Sequence, residues 1–248
     1  MAAAAGGYAS GVARTPMRDF WDQRAEENAL FFVDNKLDYR DPSAEEFWKR
    51  GEKEFDDLVG AVGARLEPGD DVVEIGCGVG RLTRVIAARA ATVRALDVSP
   101  RMIERAREHN VSLENVTWLV GDGESLAGVD DASADACISH VVFQHIPDPA
   151  VTLGYVREIG RVLRPGGWAA FQISNDPHLH RKRTGREGVR ILLKAITRRG
   201  PKGQADPSWL GSHVELDDLR AAAADSGMTV ERVVGEGTQF CYVRLRRG

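Results

Sequence analysis

Three features of the chain converge on a doubly wound α/β fold. From residue 70 onward, short β-branched runs alternate with helical stretches; a glycine-rich turn closes the first run; and an acid stands at the end of the second. Such alternation builds a mainly parallel sheet with helices on both faces. The expectation here is seven strands, with a C-terminal antiparallel hairpin and a helical N-terminal cap.

The elements follow in order. Residues 1–14 are rich in Ala and Gly and lack the basic-then-apolar pattern of a secretory signal, so they read as a flexible tail. Residues 15–60 read as helices. They hold eight of the seventeen aromatic residues of the chain, among them Trp21 and Trp48, so this segment must dock on something apolar, its own core being the simplest choice. The core, 61–248, begins with a strand at 71–75 that ends in Gly76, and a helix is predicted over 80–89. A second strand, 92–96, ends at Asp97, and Pro100 suits the first turn of a helix running to 109. Residues 116–120 and 134–142 read as strands, and 149–163 as a helix broken by Arg164-Pro165-Gly166-Gly167 before a fifth strand at 168–174. The alternation then stops for about forty residues, long for a connection in a compact domain. Residues 176–212 therefore read as an insertion and a candidate lid. A helix at 214–226, ended by Gly227, leads to runs at 228–234 and 238–245, whose three-residue separation suits a hairpin.

A chain of 248 residues, 43% hydrophobic and 28% charged, is an ordinary globular composition with room for one large α/β domain. No stretch approaches the roughly 18–20 apolar residues that span a bilayer. Cys77, Cys137 and Cys241 are scattered without metal or redox spacing, which fits reduced thiols in a cytoplasm. The six His residues show no metal spacing either, and no metal is assigned.

Charge is unevenly spread. Residues 178–203 carry nine basic residues, including Arg181, Lys182, Arg183 and Arg186, against the single acid Glu187, although the whole chain is net −4. Val189, Leu192, Leu193 and Ile196 form an apolar stripe at helical spacing, with Arg190, Lys194 and Arg198 opposite. A lid helix with a solvated basic face accounts for this pattern. The competing readings are a basic face that receives an anionic acceptor and one that rests on an anionic membrane, the membrane contact not being favoured. Nucleic acid is disfavoured, because the net charge is negative and no aromatic residues interleave with the basic ones.

The chemistry sits in Val72-Val73-Glu74-Ile75-Gly76-Cys77-Gly78-Val79-Gly80, where the first strand turns toward the first helix. Glycines there let backbone approach a ligand closely. Asp97, 21 residues after Gly76, is placed to accept hydrogen bonds from both hydroxyls of a ribose, which points to an adenosine-containing ligand. The dinucleotide fingerprint needs its third glycine five positions after the first. Here Arg81 stands at that position and Gly80 comes one earlier, which makes an NAD-dependent oxidoreductase the weaker alternative.

At this point the sequence resembles the class I S-adenosylmethionine-dependent methyltransferases, whose first motif reads E/D-x-G-x-G-x-G. The likeness continues through Leu96-Asp97-Val98-Ser99-Pro100 with Met102, Gly121-Asp122-Gly123-Glu124, Ala136 to His140, Phe143-Gln144-His145-Ile146-Pro147-Asp148 and Arg161 to Gly167, and covers roughly 66–173. The resemblance implies a Rossmann-like core that binds S-adenosylmethionine and releases S-adenosylhomocysteine. It implies that Glu74 lies near the methionine amino group, that Gly76, Cys77 and Gly78 form the close loop, and that Asp97 holds the ribose. Val98 and Met102 would flank the adenine, Asp122 and Gly123 would meet its edge, and Ser139 and His140 would face the ligand. Methyl transfer needs mainly alignment and exclusion of water, with a general base only where the acceptor must lose a proton. His145 is the first candidate base and His140 the second; the plainer role for His145 is to hydrogen-bond its own proline-containing loop. The expected partner is a small molecule, and a non-catalytic S-adenosylmethionine-binding protein is the remaining alternative.

Overall fold

The computed structural model describes residues 15–180, 203 and 205–248. The tail 1–14 and the basic stripe with its apolar face at 189–196 lie outside the described residues, as do Arg181, Lys182, Arg183 and Arg186.

Seven strands form one sheet: β1 (Asp71–Ile75), β2 (Thr92–Asp97), β3 (Val116–Val120), β4 (Ala134–Ser139), β5 (Leu163–Ile173), β6 (Met228–Val234) and β7 (Cys241–Arg247). Their order across the sheet is β3-β2-β1-β4-β5-β7-β6. The first five run parallel, β7 pairs antiparallel with β5, and β6 pairs antiparallel with β7. The chain moves outward from β1 through β2 to β3, then returns to lay β4 on the other side of β1. That reversal opens a crevice beyond the carboxyl ends of β1 and β4, where open α/β sheets bind ligands.

The helices are α1 (Pro16–Val33), α2 (Ala44–Val62), α3 (Thr83–Ala87), α4 (Pro100–His109), α5 (Pro149–Val162), α6 (Pro207–Leu210) and α7 (Leu216–Asp225). One face of the sheet packs Val73, Cys137, Ala169 and Phe171 against Val156 and Ile159 of α5 and Leu219 and Ala223 of α7. The other packs Val72, Ala95 and Ile138 against Phe55 and Leu58 of α2, Ile86 of α3 and Ile103 of α4. α2 therefore joins the helical layer over one face of the sheet. Its buried Phe47, Phe55, Leu58 and Val62 fall on one stripe, and Ser43 caps it by accepting from the Glu46 N–H at 3.2 Å.

α1 and the connector after it do cover the strand ends. Thr15 and Pro16 start α1, and Asn28 interrupts it with non-helical dihedrals. The Asn28 side chain stabilises the break by accepting from the Phe31 N–H and donating to the Tyr39 carbonyl, so the helix restarts in a new direction. Ala25, Ala29, Leu37, Phe47, Val79 and Met102 form the small core beneath it.

Several boundaries differ from expectation. α3 is one short piece, Thr83–Ala87, instead of 80–89, because residues 76–82 form the turn that the glycines permit. β4 stops at Ser139, where the chain turns into the site, and not at 142. β5 begins at Leu163, yet between there and Trp168 the pairing with β4 is irregular, which is the break that Arg164 to Gly167 announced.

Candidate active site

The site begins with the turn after β1. Gly76 has φ +73°, and a Cβ there would stand 2.2 Å from a Val142 methyl carbon, so only glycine lets the β1 and β4 ends close together. Gly80, with φ +86°, packs instead against Asn110 and Trp118, away from the crevice. It acts as a packing glycine, consistent with a turn not built for a pyrophosphate.

Glu74 is 4% exposed, and its Oε2 accepts from Thr83 Oγ1 at 2.6 Å. Burial pushes its carboxyl up to about 7, with the Thr83 hydrogen bond opposing and Asp97 adding to the rise. Asp97 ends β2. Its Oδ2 accepts from the Gly78 N–H at 2.8 Å and its Oδ1 from the Ser99 N–H at 2.9 Å, which fixes the carboxylate plane. Each oxygen keeps a further lone pair for a ligand hydroxyl. Burial pushes this carboxyl up to about 6 against those two backbone hydrogen bonds.

A cavity of about 1070 Å³ runs along these groups. Glu74, Gly76, Cys77, Gly78, Asp97, Val98, Met102, Gly123, His140 and His145 all line it. Asp122 and Ser139 do not. The Asp122 carboxylate accepts in its own turn from Glu124 N, Ser125 N and Ser125 Oγ. Ser139 is 1% exposed and donates to the Ile75 carbonyl, tying β4 to β1. Cys77 donates to Gly78 O, and burial raises its thiol well above the usual range, so it is no nucleophile.

Met17, Trp21, Phe32 and Val33 of α1 form a wall of the cavity. Arg18 fastens α1 there, donating from Nε to Val98 O at 3.1 Å and from Nη2 to Gly121 O at 2.9 Å. No local signal in the sequence announces these contacts, which join residues 80 and 103 positions apart.

A second cavity, about 1100 Å³, shares Phe32, Val33, Arg81, His140, Val141 and His145 with the first. Its other walls include Asp34, Lys36, Glu54, Trp209, Phe240 and Tyr242. Val141 sits where the two meet and has φ +57°, a conformation that β-branched residues avoid. Strain of this kind costs on the order of 1–3 kcal/mol and tends to be stored at functional sites.

The two histidines differ sharply. His145 lies in a 3₁₀ turn, Phe143–His145. Its Nδ1 is 2.8 Å from Trp209 O and its Nε2 is 3.2 Å from the Gln144 amide nitrogen. A carbonyl only accepts, so Nδ1 carries the proton and Nε2 accepts from Gln144. Burial pulls its pKa down to about 4 despite the Trp209 hydrogen bond. His140 stacks on Tyr242, with ring centroids 6.2 Å apart, and sets Nε2 3.5 Å from Glu54 Oε2. Its Nδ1 is buried without a hydrogen-bond partner among the described residues. Burial would raise the Glu54 carboxyl, but His140 and Arg81 outweigh it and hold Glu54 at about 2. Arg81 bridges Glu54 at 2.6 Å and Asp34 at 3.2 Å. No group of three or more His, Cys, Asp or Glu able to hold a metal occurs among the described residues. No described helix is long and apolar enough to cross a membrane.

Residues 73–171 match the family model described as a methyltransferase domain. Among relatives, the ubiquinone biosynthesis O-methyltransferase of Xanthomonas campestris pv. campestris is 36% identical over 108 residues, 43% of this chain and 44% of that enzyme. The demethylmenaquinone methyltransferase of Tropheryma whipplei is 32% identical over 99 residues, 40% of this chain and 39% of that one. The matched segment thus spans less than half the length of either relative. Among solved structures, phosphoethanolamine N-methyltransferase 1 of Haemonchus contortus, in complex with phosphoethanolamine and S-adenosylhomocysteine, aligns with a TM-score of 0.65 at 17% identity, over 93% of this chain and 48% of that one. An S-adenosylmethionine-dependent methyltransferase from Mesorhizobium loti aligns with a TM-score of 0.58 at 22% identity, over 78% of this chain and 97% of that one. These structural likenesses concern the fold.

Proposed function

We propose that the protein transfers a methyl group from S-adenosylmethionine to a small-molecule acceptor and releases S-adenosylhomocysteine. The observation that carries this reading is the pair of adjoining cavities meeting at His140 and Val141, the first built around Glu74 and Asp97. Asp97 would take the two ribose hydroxyls, and the adenine would lie between Val98, Met102 and Gly123. Glu74, uncomfortable as a buried anion, would gain a cationic partner in the methionine amino group. When bound, the cofactor would supply an electrophilic methyl; the chain supplies orientation and exclusion of water, with Trp21 and Phe32 of α1 among the cavity walls. Three buried, unbridged thiols favour a cytoplasmic location. The two named relatives support a quinone-type aromatic acceptor.

The test is turnover. Incubation with methyl-labelled S-adenosylmethionine and a panel of hydroxylated aromatic compounds should yield labelled product and S-adenosylhomocysteine in equal amounts. Tight S-adenosylhomocysteine binding without any methyl transfer would instead support a non-catalytic binding protein.

A further inference from the structure

We infer that the second cavity receives an acceptor carrying an aromatic hydroxyl, and that His140, positioned by Glu54, takes the proton from that hydroxyl. The inference rests on the methyl-transfer reading and specifies the acceptor atom and the base. It begins with the tautomer. Glu54 is an acceptor only, so the His140 Nε2 at 3.5 Å carries the proton and faces the carboxylate. That leaves the lone pair on Nδ1, the nitrogen with no partner among the described residues, on a side chain only 6% exposed. A buried imidazole lone pair left without a donor is costly unless a ligand supplies one. His140 lines both cavities, so that donor is assigned to the place where they meet.

His145 lacks this opportunity, since Trp209 and Gln144 occupy both of its nitrogens. The groups that face His140 are Glu54 on α2, Arg81 on the β1 turn, Tyr242 on β7, and the neighbouring His145. Arg81 keeps Glu54 ionised and therefore keeps the lone pair where it is. The walls set the rest of the acceptor. Phe32, Trp209, Phe240 and Tyr242 give flat apolar surfaces, and Phe240 is 47% exposed. A base is needed before transfer for a hydroxyl, whereas a neutral amine already presents its lone pair. In the step, Nδ1 of His140 takes the hydroxyl proton as the oxygen bonds to the methyl carbon. The carbon–sulfur bond breaks with its electron pair left on sulfur. The imidazolium, held by Glu54, then returns the proton to solvent.

The test uses 4-nitrocatechol, whose anion has its own visible absorption, added to the full-length protein saturated with S-adenosylhomocysteine. Wild type should show the anion band at a pH about one unit or more below that needed by the free probe. His140→Asn should lose that shift, and Glu54→Gln should retain part of it. Calorimetric titration with S-adenosylhomocysteine, performed on all three proteins, should give saturable binding in each, which shows that each is folded. Equal probe ionisation in wild type and His140→Asn overturns the inference, as does a complex that fails to bind 4-nitrocatechol. A wild type that binds no S-adenosylhomocysteine overturns the methyltransferase reading beneath it.

Discussion

Replacing Glu74 with Gln should make the free protein more stable while weakening cofactor binding. Burial pushes the Glu74 carboxyl up to about 7 in the folded chain, from an ordinary value of 4.5. A raised carboxylate pKa carries no penalty below the unfolded value, where both states are protonated. The cost grows between 4.5 and about 7, and is constant above that. The shift of about 2.5 units corresponds to roughly 3 kcal/mol at pH 8 and less than about 1 kcal/mol at pH 5. Gln keeps a carbonyl oxygen for the Thr83 hydroxyl, so the local hydrogen bond survives. Thermal unfolding of the ligand-free proteins at the two pH values is the assay. At about 2–4 °C per kcal/mol for a chain of this size, Glu74→Gln should melt roughly 6–12 °C above wild type at pH 8, with the gap nearly closed at pH 5. Affinity for S-adenosylhomocysteine should fall in the same variant. A pH-independent gap, or a variant less stable than wild type at pH 8, would refute the account of Glu74 as a strained anion awaiting a cation.

Other perturbations probe other parts of the site. Asp97→Ala should weaken S-adenosylhomocysteine binding by roughly 1.5–3 kcal/mol in calorimetry while the protein stays folded, because the residue lies at a strand end. Arg81→Met removes a guanidinium lodged between Asp34 and Glu54, 5% exposed, and should destabilise by about 3–5 kcal/mol in denaturant titration. Arg18→Ala frees the start of α1 from Val98 and Gly121; stopped-flow tryptophan fluorescence should show S-adenosylhomocysteine leaving roughly tenfold faster, in line with about 1.5 kcal/mol of lost hydrogen bonding.

Much of this molecule was legible along the chain because its signals are local. The turn from Gly76 to Gly80, Asp97 at the end of β2 and the Ser99-Pro100 helix start each announce themselves within a few residues, and each occupies its expected place. The hairpin at the C-terminal end was equally visible, though not that β7 would slip between β5 and β6. What stayed hidden depends on contacts between distant segments. The aromatic stripe of α2 does not say which surface it meets; in the fold it covers one face of the sheet. Glu54 sits in that helix as one acid among several, and only folding brings it to His140. Asp122 and His145 look like ligand groups by position, yet nearby backbone and amide groups satisfy them.

The central claim is that the crevice beyond β1 and β4 is shaped for S-adenosylmethionine and its product and not for a dinucleotide. Calorimetric titration of the full-length protein with S-adenosylhomocysteine and, separately, with NAD tests it most directly. Saturable S-adenosylhomocysteine binding to one site per chain, with no heat of binding from NAD, is the predicted result. Binding of NAD with no response to S-adenosylhomocysteine would contradict it.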